Sequence, residues 1–173
     1  MYSAMQRTRE ELVTSARVLV IDDDYYMRKV IRSLLLAIGI KTFHEAANGT
    51  DGLEAICSWH PDIVLLDWEM PDMTGADFMR SVRSPGTFPL PDVPVIMITG
   101  HVERDRVVQA IRLGVNEFLG KPVSARALHD RILSIRARPR VMVQIGDYYG
   151  PEPRKVTANS RNLTNPLEPI WVV

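Results

Sequence analysis

Polar side chains that could act on a phosphoryl group stand directly behind short apolar runs of the sequence. Asp22 and Asp23 follow RVLVI, Asp67 follows DIVLL, Thr99 follows VIMI, and Lys121 comes just after EFL. Three carboxylates placed close together repel one another unless a cation neutralises them. Oxygen ligands without His or Cys favour a hard ion, Mg²⁺ ahead of Ca²⁺ or zinc. The lysine and the hydroxyl could then hold phosphoryl oxygens, and one carboxylate could act as a nucleophile.

These residues meet only if the apolar runs are strands of one sheet. Continuous β-branched runs predict buried strands, and apolar positions at helical spacing predict helices between them. The predicted strands are Arg17–Ile21, Lys41–Glu45, Asp62–Leu66, Val95–Ile98 and Glu117–Leu119. The predicted helices are 27–38, Asp51–Trp59, Asp77–Arg83, Glu103–Leu113 and a last one capped by Ser124. This alternation predicts an α/β fold, a doubly wound five-stranded parallel sheet with helices on both faces. The site of such a fold lies at the carboxyl ends of its strands.

Composition narrows the class of protein. The net charge is zero, with 15 Lys and Arg against 18 Asp and Glu in residues 1–135 and 6 against 3 in residues 136–173. The sequence therefore gives no sign of nucleic acid or membrane binding, and the acidic excess of the body fits a cation site. Cys57 is the only cysteine, which excludes an intramolecular disulfide, and we expect it in a helix core. The charged N-terminus and the lack of a long apolar stretch predict a cytoplasmic protein.

Four segments carry a resemblance to a known family. They are VLVIDDD at 18–24, PDIVLLDWEMPDMTG at 61–75, PVIMITG at 94–100 and LGVNEFLGKPV at 113–123. In this order and spacing they resemble the receiver domains of response regulators, the phosphorylated proteins of two-component systems. The resemblance covers about Ala16 to Ala137. It implies the flavodoxin-like receiver fold and a stand-alone regulator. Phosphate would come from a sensor histidine kinase or a histidine phosphotransfer protein, and the signal would pass to a downstream protein target.

The resemblance also implies roles for individual residues. Asp67 would be the phosphoacceptor of a reaction that needs Mg²⁺ as cofactor. Asp22 and Asp23 would form the acidic pair that holds the metal together with Asp67. Glu69 would contribute its backbone carbonyl to the metal.

Further roles concern the phosphoryl group and the switch. By resemblance, Thr99 and Lys121 would hold the phosphoryl oxygens, and the peptide between Lys121 and Pro122 would be cis. Phe118 matches the aromatic position that rotates inward when Thr99 moves toward the phosphate, although a plain core role would also suit it. Glu69 and His101 match positions that border the path of the hydrolytic water, so they would tune the phosphate lifetime, unless they are solvated rim residues.

The extent of the resemblance divides the chain into an N-terminal extension at 1–15, a receiver domain at 16–138 and a proline-rich tail at 139–173. The tail is too short for a helix-turn-helix output domain, which needs about 60 residues. Its apolar pieces are Val141–Ile145 and Pro169–Val173, and the first is expected as a short strand or an extended segment. Tyr148, Tyr149 and Trp171 would dock a partner or fold back, and we favour folding back because exposed aromatics promote aggregation.

Two other functions compete with a phosphorylated switch. The first is a receiver-like adaptor that ignores phosphorylation, but a scaffold has no physical need for a cluster of like charges. The second is a phosphatase with an aspartyl nucleophile; such enzymes use an Asp-x-Asp pair, whereas Asp67 is followed by Glu69 here. We therefore expect a regulator that catalyses only its own phosphotransfer and dephosphorylation, and not an enzyme acting on other substrates.

Overall fold

A computed structural model of the chain describes residues 8–153. Its strands are β1 Val18–Ile21, β2 Phe43–Ala46, β3 Ile63–Asp67, β4 Val95–Thr99, β5 Glu117–Gly120, β6 Met142–Ile145 and β7 Tyr148–Pro151. Its helices are α1 Arg9–Thr14, α2 Tyr25–Ala37, α3 Gly49–Trp59, α4 Gly75–Val82, α5 Arg104–Arg112 and α6 Ala125–Ala137. None of these helices is both long enough and apolar enough to cross a bilayer.

The first five strands form the predicted parallel sheet. Their order is β2-β1-β3-β4-β5, and every neighbouring pair is parallel. Every residue of β1, β3 and β4 is buried, which explains why these strands are continuous apolar runs without alternation. The order reverses direction at β1, which puts the carboxyl ends of β1 and β3 at the switch point of the topology.

Successive side chains of each central strand enter different cores, because a strand points alternate residues to opposite faces of its sheet. In β1, Leu19 and Ile21 belong to the cluster that α3, α4 and α5 cover. Val18 and Val20 belong to the cluster on the other face, which α1, α2 and α6 cover. Both faces of the sheet are therefore sealed by helices, and the expectation of a doubly wound fold is confirmed.

Two apolar side chains of the helices are exposed. Helix α3 buries Gly49, Gly52 and Ile56, which lie on one face at spacings of three and four residues, and Cys57, about 100° further round the helix from Ile56, is exposed. The prediction of Cys57 as a core residue was wrong. Helix α2 buries Ile31 and Leu35, and its Val30 is 49% exposed.

The segment before β1 contains a helix that the sequence analysis treated only as an extension. Helix α1 starts with a capping box, in which the Thr8 hydroxyl accepts from the Glu11 N–H and the Glu11 carboxylate accepts from the Thr8 N–H. Val13 is fully buried against the core. Arg136 of α6 donates to the Leu12 carbonyl at 3.2 Å. The extension is thus part of the folded unit from Thr8 onward.

The segment after α6 folds into a hairpin. Strands β6 and β7 pair antiparallel across the turn at Gly146 and Asp147, so the strand alternative for Val141–Ile145 is the one observed. Tyr148 is half-buried and donates to the Pro151 carbonyl at 2.8 Å, while the Tyr149 hydroxyl donates to Asp92. Both tyrosines thus fold back, as favoured. Trp171 and the Pro169–Val173 segment lie outside the described residues.

Candidate functional site

The polar residues predicted to meet at the strand ends do line one pocket. Asp22 and Asp23 follow β1, Asp67 and Thr99 are the last residues of β3 and β4, and Lys121 follows β5. Asp67 is level with Ile98, and Thr99 with Gly120, so the strands end at the same edge of the sheet. The pocket has a volume of about 280 Å³ and is lined by Asp22, Asp23, Asp24, Asp67, Glu69, Thr99, Gly100, His101 and Lys121.

Asp67 is held by contacts to both of its carboxylate oxygens. Its Oδ1 accepts a hydrogen bond from Lys121 Nζ at 2.8 Å, and its Oδ2 accepts from the Glu69 backbone N–H at 3.1 Å. Burial raises the pKa of Asp67, and the hydrogen bond from Lys121 opposes that rise. Burial acts to lower the pKa of Lys121, but the hydrogen bond and charge of Asp67 prevail and raise it. The pair therefore holds one ammonium against one carboxylate.

Asp22, Asp23 and Asp67 form an acidic cluster whose contributing oxygens all lie within 4.8 Å of one another. Asp22 is 1% exposed, and its Oδ1 accepts from the Asp24 N–H at 2.8 Å. Burial, with the charge of Asp67, raises the pKa of Asp22, while the bond from Asp24 opposes the rise. Asp22 Oδ2 is buried and has no hydrogen-bond partner among residues 8–153, although Lys121 Nζ lies 3.5 Å away. A buried oxygen of this kind, within a set of three carboxylates, fits a divalent cation.

The Asp22–Asp23 turn is fixed by local contacts. Asp24 caps α2 by accepting from the N–H groups of Tyr26 and Met27. Arg28, one turn later, donates to the carbonyls of Asp22 at 2.7 Å and Asp23 at 3.2 Å. Arg28 was not predicted from the sequence. Its position four residues after the cap was the available signal, because a side chain one turn into a helix can reach the backbone groups at the start of that helix.

Thr99 connects β4 to the segment that carries Lys121. Its side chain is buried, and its Oγ1 accepts from the His101 N–H at 3.0 Å. Its carbonyl accepts from the Lys121 N–H at 2.7 Å. The peptide between Lys121 and Pro122 is cis, as the resemblance implies. A shift of Thr99 would therefore be felt directly in β5 and the loop after it.

Phe118 lies on β5, level with Met97 of β4. Its side chain is partly buried and packs against the core cluster on the α3–α5 face. Phe118 therefore contacts the core without being fully buried. This partial burial is compatible with both the core role and the switch role considered for it.

Glu69 and His101 interact at the rim of the pocket. Glu69 Oε1 lies 3.4 Å from His101 Nε2 and 3.9 Å from an Arg106 nitrogen, and His101 Nδ1 lies 3.6 Å from a Glu103 oxygen. The side chains of Glu69 and His101 are 57% and 52% exposed, so both are solvated. Glu69 thus faces His101 and Arg106, and no ion pair joins it to Lys121 within the described residues.

The sequence of this chain is similar to known receiver-domain and chemotaxis proteins. A family model of the response regulator receiver domain matches residues 18–133. The chemotaxis protein CheY of Pseudomonas aeruginosa is 37% identical over 122 residues, which are 70% of this chain and 97% of that protein. Chemotaxis protein CheY-3 of Vibrio cholerae is 32% identical over 122 residues, 70% of this chain and 92% of that protein.

The structure of this chain is also similar to solved structures of such proteins. A response regulator receiver domain protein from Clostridium thermocellum superposes with a TM-score of 0.62 at 32% identity, over 71% of this chain and 95% of that chain. The chemotaxis protein CheY4 of Vibrio cholerae superposes with a TM-score of 0.59 at 26% identity, over 66% of this chain and 93% of that one. The superposition covers nearly the whole of these two structures, whereas part of this chain lies outside it.

Proposed function

Because the chain belongs to the response regulator receiver family, we propose that it is a single-domain response regulator phosphorylated on Asp67. The phosphoryl donor is a sensor histidine kinase or a histidine phosphotransfer protein, and the phosphorylated form binds a downstream protein. The observation that carries the proposal is the 2.8 Å hydrogen bond between Lys121 Nζ and Asp67 Oδ1 inside a cluster of three aspartates. A receiver-like adaptor would not need this arrangement.

Asp67 is the proposed nucleophile because it alone in the cluster combines the acidic setting with contacts to Lys121 and the Glu69 N–H. One Asp67 oxygen attacks the phosphorus of a phosphohistidine. The new O–P bond forms as the N–P bond breaks, and the electron pair of that bond stays on the imidazole nitrogen. Lys121 and the Thr99 hydroxyl donate to the phosphoryl oxygens, which gain negative charge during transfer.

The acidic cluster is the proposed site of Mg²⁺. Asp22, Asp23 and Asp67 would supply side-chain oxygens, and Glu69 would supply its backbone carbonyl. The ion, when bound, would supply positive charge that offsets the carboxylates and the phosphoryl group. The hydrogen bond from the Asp24 N–H to Asp22 Oδ1 already fixes the turn that carries the first two carboxylates.

The proposed switch runs from Thr99 to the surface of β5. Phosphorylation adds about 1.5 to 2 negative charges next to Thr99. The Thr99 hydroxyl leaves the His101 N–H and turns to the phosphoryl group, where a charged acceptor makes a stronger hydrogen bond. Since the Thr99 carbonyl also accepts from the Lys121 N–H, β5 follows the movement and Phe118 turns toward the space that Thr99 leaves.

The α2 face beside the pocket is the proposed contact with the phosphoryl donor. Tyr26 is 75% exposed and Val30 is 49% exposed, and these residues stand one turn apart just after the Asp24 cap. Apolar side chains at this spacing suit a groove between helices of a partner. A donor docked there would bring its histidine toward Asp67.

The proposal is tested by incubating the protein with acetyl phosphate and Mg²⁺ and measuring its intact mass. We expect one added phosphate in the wild type, none in Asp67→Asn, and one in the matched control Asp77→Asn, which removes an exposed carboxylate outside the pocket. A full phosphate signal in Asp67→Asn would refute the assignment. A wild type that never gains mass would favour the adaptor.

A further inference from the structure

The β6–β7 hairpin has one strand edge against the domain and one edge that faces away from it. The Tyr149 carbonyl oxygen approaches Gly114 so closely that a Cβ built there would lie 2.5 Å from it. The outer edge of β7 therefore lies on the turn between α5 and β5. Strand β6 is on the far side of β7, and its outer edge forms no hydrogen bond within residues 8–153.

The hydrogen-bond pattern identifies the groups at that outer edge. The Glu152 N–H donates to the Val141 carbonyl at 2.7 Å, so position 141 of the hairpin is a hydrogen-bonded one. Such positions alternate along an antiparallel strand. Met142 and Gln144 consequently point their N–H and C=O groups away from β7, which leaves two donors and two acceptors without a partner among residues 8–153. An edge of this kind is a template for another strand.

The side chains along the edge favour pairing as well. Val141 is 69% exposed and Ile145 is 64% exposed, and these residues share one face of the strand because they are four positions apart. Val143 lies between them on the same face and is partly exposed. From 141 to 145 the strand has no charged residue and no proline, the features that normally protect an edge from pairing.

We propose that β6 pairs antiparallel with β6 of a second copy of this chain, giving a four-stranded sheet across a two-fold axis. The free groups determine the register. Met142 of one copy exchanges two hydrogen bonds with Gln144 of the other, so Val143 faces Val143 at the axis. Val141 then lies opposite Ile145, and the exposed apolar residues of each copy cover those of the other.

Charge does not oppose a second copy in this orientation. Arg140, just before the strand, is engaged within its own chain, where it donates to the carbonyls of Asn116 and Glu152. The segment from 141 to 145 is self-complementary in hydrogen bonds and in apolar contacts, and it has no charged side chain that would repel its own copy. A copy of the chain is therefore the partner that it fits.

The pairing leaves the acidic pocket open. The hairpin contacts Asp92 and Gly114, which precede β4 and β5, while the pocket lies at the opposite ends of these strands. The family match ends at residue 133, before the hairpin. The dimer is therefore a property of this chain's own C-terminal segment and does not depend on phosphorylation.

The first test is the mass of the full chain at increasing concentration, measured by sedimentation equilibrium. We expect a monomer–dimer equilibrium that Gln144→Pro weakens at least tenfold. Proline removes an N–H that points away from β7, so the hairpin keeps its own hydrogen bonds. Labelling of Gln144→Pro by acetyl phosphate should equal that of the wild type and shows that it is folded. Leu36→Lys, at an apolar residue that is 53% exposed on α2, is the matched control and should dimerise normally.

The second test addresses the register through a disulfide. In a Cys57→Ser background, Val143→Cys faces its own copy at a non-hydrogen-bonded position, where the Cα atoms stand about 4.5 Å apart and a disulfide fits. Oxidation with diamide should give a cross-linked dimer on a non-reducing gel. Gln144→Cys in the same background faces Met142 and should give almost none.

Four results would overturn the proposal. A chain that stays monomeric at every concentration would do so, as would a dimer that Gln144→Pro leaves unchanged. Dimerisation that appears only after residues 154–173 are removed would show that those residues occupy the edge in the intact chain. Equal cross-linking through Val143→Cys and Gln144→Cys would refute the register.

Discussion

Lys121 donates a 2.8 Å hydrogen bond to Asp67, although Asp67 ends β3 and Lys121 follows β5, and these two strands are not neighbours. Strand β4 lies between β3 and β5, so the lysine side chain spans the carboxyl end of a whole strand to reach the aspartate. Its Nζ also lies 3.5 Å from Asp22 Oδ2. One ammonium thus occupies the region between two members of the acidic cluster, where a metal and a phosphoryl group would each need space.

Replacing Lys121 should separate metal binding from phosphorylation. In Lys121→Ala the acidic cluster loses its cation, so Mg²⁺ should bind more tightly than in the wild type. Phosphorylation by acetyl phosphate should slow by roughly tenfold to a thousandfold, because one donor to the transferring group is lost. Calorimetric Mg²⁺ titration and the rate of mass gain measure the two effects. Lys29→Ala, on the surface of α2, should change neither, and weaker Mg²⁺ binding in Lys121→Ala would contradict this account.

Mg²⁺ should stabilise the fold through Asp23. The ion binds the folded cluster and not the unfolded chain, so saturating Mg²⁺ raises the melting temperature relative to EDTA. Asp23→Ala removes an exposed ligand without opening the core and should abolish the rise. Thermal unfolding followed by circular dichroism measures this effect. Identical curves for the wild type in EDTA and in Mg²⁺ would mean that the cluster is not a metal site.

Without metal, Asp22 should destabilise the protein at neutral pH. Burial raises the pKa of Asp22 above its ordinary value of 3.8, so the carboxyl group binds a proton more readily in the folded state than in the unfolded state. The resulting loss of stability is complete above the folded-state pKa and disappears as the pH falls through that value toward 3.8. Asp22→Asn in EDTA should therefore melt roughly 2 to 8 °C higher at pH 7.

The advantage of Asp22→Asn should shrink at acidic pH, and melting curves measured down to about pH 4 can follow it. Asp51→Asn, at an exposed residue outside the cluster, provides the comparison for general effects of acid. An advantage that stays constant with pH would contradict this account, because it would mean that the pKa of Asp22 is the same in the folded and unfolded states.

Glu69 and His101 should set the lifetime of the phosphorylated state as one unit. Their side chains lie 3.4 Å apart at the rim, so removal of either one releases the other. We expect Glu69→Ala and His101→Ala each to change the dephosphorylation rate by about tenfold to a hundredfold. The double mutant should resemble a single mutant, because neighbours that share a contact are not additive. Single-turnover dephosphorylation measures this, with Glu54→Ala, at an exposed residue of α3, as control; rates within twofold of the wild type would make both residues ordinary rim residues.

The strands and the site could be predicted from sequence because the same residues encode both. A strand buried on two faces must be continuously apolar, so a charged residue such as Asp22 after β1 or Asp67 in β3 marks the end of the strand and the edge of the sheet. Cys57 could not be placed because the buried face of α3 runs through Gly49 and Gly52 to Ile56, and glycines do not register in a pattern of apolar side chains. The contact of β7 with Gly114 left no pattern in sequence, since it is made by backbone atoms.

Helix α1 affects where this receiver domain can be joined to another protein without loss of stability. A boundary drawn where the family match begins, at residue 18, would cut away the whole helix. Val13 would no longer cover the core beside α6, and Arg136 would lose the Leu12 carbonyl as its acceptor. Burial of a valine is worth about 1.5 to 3 kcal/mol, so a chimaera joined at residue 18 should be measurably less stable than one joined at Thr8. The portable unit of this chain is larger than its family signature.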